Sequence, residues 1–174
     1  MEFQVDRAVE LLSRTPAALR ALLGGVSDAW TRSDEGPDTW SPIVTLGHLI
    51  FAEEVNWIPR ARAILEHGES RPFEPFDRFA QFERYRNLSL EQLLDTFTER
   101  RRASLATLAG MDLTPERLAR RGTHPDFGSV TLGQLFATWT VHDMNHVGQI
   151  VQTLAKQYRD AIGPWRRFVP IVDR

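Results

Sequence analysis

Trp139-Thr140-Val141-His142-Asp143-Met144-Asn145-His146-Val147-Gly148-Gln149-Ile150 is the stretch that decides how this chain reads. Apolar positions approach it as Leu132, Leu135 and Trp139 and leave it as Ile150 and Leu154. The gap between Trp139 and Ile150 is filled by His142 and His146, at steps of +3, +4 and +4. That spacing is one face of an α-helix, so both imidazoles lie on the stripe that faces the core, one turn apart. Just upstream, Thr131-Leu132-Gly133-Gln134 carries a capping-box pattern, and the helix it opens can reach about Tyr158.

Two histidines four apart on a helix can converge on one metal ion. The competing account is a chance pair in the core. Such a pair would need hydrogen-bond partners for both rings, or would suffer depressed pKa values and mutual repulsion when protonated. A bundle core offers few such partners, which favours a ligand role.

Working outward, Ser89-Leu90-Glu91-Gln92 is a second capping-box pattern, and the helix it opens runs to Ala109 before Gly110. Its apolar face is Leu90, Leu93, Leu94, Phe97, Leu105 and Leu108, with Glu99-Arg100-Arg101-Arg102 read as mostly outward. Ser41-Pro42 starts another helix, with Ser41 as cap and Pro42 at the first position, ending near Glu66 before His67-Gly68. Pro59 predicts a kink or an early end near Ile58. The first helix spans Glu2 to Leu23, is kinked or divided by Pro16, and stops at Gly24-Gly25. Thr114-Pro115 opens a short helical turn, and Arg120 to Ser129 reads as loop. Residues 69–88 hold two prolines and the aromatics Phe73, Phe76, Phe79, Phe82 and Tyr85, which reads as a connection packed across the helices. The fold class is therefore all-α: a four-helix bundle with a long crossover connection, as one domain over 1–174, core about 2–158 and an irregular tail over 159–174.

The 174 residues suit one domain with its own core. A formal net charge of −2 argues against an electrostatic nucleic-acid binder. No stretch approaches the ~20 apolar residues of a membrane span. The opening MEFQVDRAVELL lacks a basic n-region and an apolar h-region, so a cytoplasmic protein is expected. With no cysteine, thiolate metal sites, disulfides and a cysteine nucleophile are excluded.

Five histidines remain. His48 sits on the second helix among Val44, Phe51, Ala52 and Val55. Alone it reads as a core histidine; beside His142 and His146 it becomes the natural third ligand of a facial site with open positions. Such a site suits zinc, nickel or ferrous iron without choosing among them. His67, at a helix end, and His124, in the loop Gly122-Thr123-His124-Pro125-Asp126-Phe127-Gly128, read as surface or loop residues.

The ordered set Trp40-Ser41-Pro42…Gly47-His48-Leu49, the Arg101-containing third helix, Gly128…Thr131-Leu132 and His142-Asp143-x-x-His146-x-x-Gln149-Ile150 resembles the DinB-like superfamily, over about residues 5–155. The resemblance implies a four-helix bundle with a long crossover, commonly a homodimer, with a divalent metal on His48, His142 and His146. Characterised relatives include thiol-dependent S-transferases and a mycothiol-dependent isomerase.

Neighbouring polar residues read two ways. Asp143 is a solvated or interhelical polar residue, or a support for a ligand. Gln149 could contact a metal-bound water. Glu53 and Glu54 belong to an exposed face, or one serves as general base. Trp57 and Trp139 fill core. Two functions follow. One is a metal-dependent enzyme that activates water or a low-molecular-weight thiol towards a small-molecule substrate, as a hydrolase or thiol S-transferase. The other is a non-catalytic dimeric binding or stress-response module, its histidines holding a structural metal or only a polar core.

Overall fold

The computed structural model describes residues 2–173. The first bundle helix is divided, as Pro16 demands, into α1 (Val5–Leu12) and α2 (Thr15–Leu23), with Pro16 in the first turn of α2. After a short helix α3 (Asp28–Thr31) and a loop, the second bundle helix runs as α4 (Pro42–Val55) and α5 (Trp57–His67), with the break at Asn56. Asn56 lies three residues before Pro59, closer to the N-terminus than the sequence suggested. Pro59 has no N–H to give the carbonyl of Val55, and its ring crowds that carbonyl, so the turn between them opens. Ser41 holds the extended N-cap backbone with Pro42 in the first turn, but its hydroxyl makes no capping bond, contrary to expectation.

The crossover consists of a 3-10 turn (Gly68–Ser70), an extended stretch and α6 (Ala80–Tyr85). Its aromatics divide: Phe73 and Tyr85 are buried, whereas Phe79 stays exposed. Then α7 (Leu90–Ala109) and, after the short α8 (Pro115–Leu118), α9 (Leu132–Lys156) complete the bundle. Both capping boxes form: Ser89 with Gln92 on α7, and Thr131 with Gln134 on α9. These satisfy backbone donors that have no partner inside the helix.

One element departs from the all-α expectation. Residues read as loop form an antiparallel hairpin, β1 (Arg121–His124) against β2 (Gly128–Thr131), with Gly122 opposite Val130. Gly122 is required there, since a Cβ would meet Ile64 Cγ1 at 2.7 Å and Phe73 at 3.1 Å. The crossover is stitched to the hairpin by the Phe73 N–H donating to the Thr123 carbonyl at 2.9 Å. The chain end, read as an irregular tail, is partly regular. It winds into 3-10 turns that bury Val172, while Trp165 and Phe168 stay about 69% and 73% exposed.

In the bundle, α1 packs on α9 and α2 on α7, while α4 touches both α7 and α9. The apolar interior is two clusters, not one. The first includes Leu12, Trp57, Leu108, Phe136 and Trp139; the second includes Leu19, Leu49, Phe97 and Ile150. Along α7 the buried Arg101 falls between Phe97 and Leu108, and along α9 His142, Asp143 and His146 fall between Trp139 and Ile150. A polar layer therefore crosses the bundle between two apolar ones. No helix among the described residues is long and apolar enough to cross a membrane.

Candidate metal centre

The polar layer begins with a buried arginine. Arg101, read as outward from its charged neighbours, is only 1% exposed. Its Nη1 and Nη2 donate to Asp143 Oδ2 and Oδ1 at 2.7 and 2.9 Å. Nε and Nη2 donate to Glu53 Oε1 at 3.1 and 2.8 Å. Nη1 also donates to the Leu12 carbonyl at 2.7 Å. That carbonyl is free because Pro16, four residues on, has no N–H to offer it. The helix break forced by proline thus supplies an acceptor to the guanidinium, which uses every donor it has. Trp139 Nε1 donates to the same Glu53 oxygen at 2.8 Å. The two carboxylates hold the Arg101 pKa up against the effect of burial.

Above this layer, His48 from α4 and His142 and His146 from α9 converge, with one ring nitrogen from each within 4.8 Å of the others. Ring centroids stand 5.1 Å apart for His48 and His142, 4.6 Å for His48 and His146, and 4.4 Å for His142 and His146. Nε2 of His48 lies 3.1 Å from Nε2 of His142. Trp40 packs on His48, Trp57 edges His142, and Phe76 edges His48.

All three imidazoles are held neutral. Burial, then the neighbouring His146 and Arg78, lower the His48 pKa to about 4. Burial, then the other two histidines and Arg101, lower His142 to about 2. His146 is lowered by burial, against the opposing pull of Gln149 and Asp143.

Each ring then carries one lone pair. Gln149 Oε1 lies 2.8 Å from His146 Nδ1. An amide oxygen only accepts, so Nδ1 is the protonated nitrogen and Nε2 keeps the lone pair. Nδ1 of both His48 and His142 is buried without a hydrogen-bond partner. An Nε2–Nε2 hydrogen bond would account for His48 and His142 alone and leave the Nε2 lone pair of His146 without a role. Lone pairs converging from three neutral rings suit a divalent cation. The residues fit the group.

The histidines form one wall of a pocket of about 330 Å³ that is also lined by Trp40, Asn56, Arg60, Phe76 and Arg78. This lies at the lower end of the range for small-molecule sites.

Residues 11–150 match the sequence family described as the DinB superfamily. The chain belongs to the DinB superfamily. Among solved structures, it is similar to YfiT from Bacillus subtilis, described as "a probable metal-dependent hydrolase with an unusual four-helix bundle topology". The two superpose with a TM-score of 0.75 at 22% identity, over 88% of this chain and 87% of that one. At that identity the likeness speaks for the fold. No curated protein sequence matches the chain.

Within this DinB-superfamily bundle, the sequence-predicted residues fall into three groups. His48, His142 and His146 come together. Asp143 is the interhelical polar residue expected, while Glu53 is not on an exposed face but buried on Arg101. Gln149 touches an imidazole instead of the open pocket. His67 and His124 stay apart from the cluster: His67 ends α5 beside Glu66, and His124 sits on the hairpin, stacked on Phe127. Sequence reading missed Asn56, Arg60 and Arg78 as pocket residues. Their common signal is weak, because Arg60 follows a helix break and Arg78 lies in an irregular crossover.

Proposed function

We propose that the chain binds a divalent metal through His48, His142 and His146 and uses it as a metal-dependent enzyme on a small-molecule substrate. The observation that carries this reading is the convergence of three neutral imidazoles, His48 and His146 buried and His142 half-buried, in the wall of a pocket. A divalent ion held there would supply Lewis acidity, turning water or a thiol into a nucleophile near neutral pH.

The protein's own residues do the rest. Burial keeps the imidazoles unprotonated, so no proton must be displaced for them to ligate near pH 7. Gln149 fixes the tautomer and tilt of His146. Trp40, Trp57 and Phe76 pack around the rings and limit water. The chain has no cysteine, so thiol chemistry would use a low-molecular-weight thiol from outside. Water as nucleophile agrees in kind with the description of YfiT as a "probable metal-dependent hydrolase"; S-transfer rests on the family resemblance. A homodimer rests on the same resemblance.

Elemental analysis of protein purified from metal-supplemented cells tests it. The wild type retains one divalent ion per chain, and the ion is thereby identified as zinc, nickel or iron. His48→Ala, His142→Ala and His146→Ala each lose it. A wild type without a stoichiometric ion overturns the reading.

A further inference from the structure

Two arginines line the histidine pocket, and no carboxylate among the described residues does. Arg60 is nearly as buried as the core, at 9% exposed. Its Nη2 donates to the Glu74 carbonyl at 3.2 Å, and its guanidinium lies over the Phe73 ring at 5.1 Å. No carboxylate oxygen among the described residues comes within ion-pair distance of it; Asp126 acts only from farther away. Burial accordingly lowers the Arg60 pKa.

The contrast with the molecule's other buried guanidinium is plain. Arg101 is clamped by two carboxylates, whereas Arg60 has one backbone carbonyl and a ring face. Buried charges are normally paired, because the unpaired state forfeits solvation without return. Arg78, exposed at the rim on the crossover, has no hydrogen bond or ion pair among the described residues, although its charge reaches His48. One helical turn before Arg60, Asn56 Oδ1 is buried without a partner.

We propose that Arg60 and Arg78 form an oxyanion subsite, so that the substrate of this pocket is a small acid carrying a carboxylate or phosphate. This rests on the reading that substrate binds beside the histidines. Guanidinium presents planar, paired donors that match carboxylate and phosphate oxygens. The flat walls of Trp40 and Phe76 favour an apolar, planar body next to the charged end, and Asn56 accepts from a hydroxyl or amide of the ligand. Held by its acid group at Arg60 and Arg78, the ligand extends its remaining bonds towards the imidazoles. The pocket volume suits a metabolite and not a polymer.

Calorimetric titration of the full-length chain at pH 7.5 tests this, metal-stripped and zinc-loaded, with benzoate, phenyl phosphate and neutral benzamide as probes. The metal-stripped wild type binds benzoate or phenyl phosphate, and the tighter of the two identifies the oxyanion; benzamide does not bind. Arg78→Gln, at an exposed position, keeps the wild-type melting temperature and zinc stoichiometry but binds the oxyanion about tenfold more weakly or worse. Arg60→Lys keeps the charge, loses the paired donors and weakens binding likewise. Benzamide binding as tightly as benzoate overturns the subsite. So does wild-type affinity in both arginine variants, or a metal-stripped wild type that takes neither anion. Zinc uptake is scored separately: its failure in the wild type removes the metal reading and leaves the anion titration standing.

Discussion

Arg101 and Asp143 meet at two points, Nη1 on Oδ2 at 2.7 Å and Nη2 on Oδ1 at 2.9 Å, with both side chains buried. The same guanidinium holds Glu53 of α4 and the Leu12 carbonyl at the end of α1. Asp143 adjoins His142 in the chain, and Glu53 shares α4 with His48. One arginine from α7 therefore fixes how far apart the two helices that carry the histidines stand. Arg101→Met leaves two carboxylates buried against an apolar chain. The expected cost is about 3–5 kcal/mol, the range for breaking a buried pair from one side. Urea denaturation measures it. Asp143→Asn, which keeps hydrogen-bonding capacity, costs less. A methionine variant as stable as the wild type would show that the layer does not bear on stability.

Gln149 acts on one ring only. Gln149→Leu removes the acceptor that keeps the His146 Nδ1 protonated, so the lone pair is no longer confined to Nε2. Zinc affinity, read by competition with a chromophoric chelator, drops by about 10–100-fold, as for other residues that orient a ligand. Gln149→Glu keeps an acceptor and stays near the wild type. Equal affinity in all three proteins would detach Gln149 from the metal.

Helix starts and breaks were legible because each has a local cause: the two capping boxes, Pro16 and Pro59 act within a turn of themselves. The three histidines were legible because their spacing continues an apolar stripe. Arg101 was not, since a run of four charged residues reads as a solvated face. Its phase does carry the signal, for Leu93, Leu94 and Phe97 lead at helical steps to Arg101, Ser104 and Leu108, all buried. Glu53 follows Leu46, Leu49 and Ile50 in the same manner. What phase cannot supply is the partner, which comes from another helix. The hairpin escaped because strands of four residues are too short to show alternation; the hint lay in Pro125-Asp126 before Gly128, whose φ is +70°.

The histidines also set an acid limit for the metal-free protein. His48 is lowered from 6.5 to about 4 in the folded state, and His142 further. Between those values and 6.5 the unfolded chain binds protons that the folded chain refuses. Stability therefore rises with pH across that window and is lost as pH falls below about 6.5 towards 4. Urea midpoints at pH 7.5, 6 and 5 should decline steadily. His142→Leu, with one fewer depressed group, should decline less. A flat profile would mean that the rings are protonated at no cost when folded.

Two glycines should respond in opposite directions to the same added methyl. At Gly122 a Cβ meets Ile64 Cγ1 at 2.7 Å and the Phe73 ring at 3.1 Å. Phe73 lies beneath Arg60, so the displaced ring carries the strain into the pocket wall. Gly122→Ala is expected to cost about 1–3 kcal/mol, as overpacking does, and to weaken oxyanion binding in the titration above. At Gly148, in the interior of α9, a Cβ meets nothing within 4 Å. Gly148→Ala therefore removes only the conformational freedom of glycine in the unfolded chain, and gains about 0.5–1 kcal/mol. Thermal melts of the two variants separate the effects. A destabilised Gly148→Ala would mean that the exposed face of α9 beside the histidines is covered in solution by something that the single chain does not show.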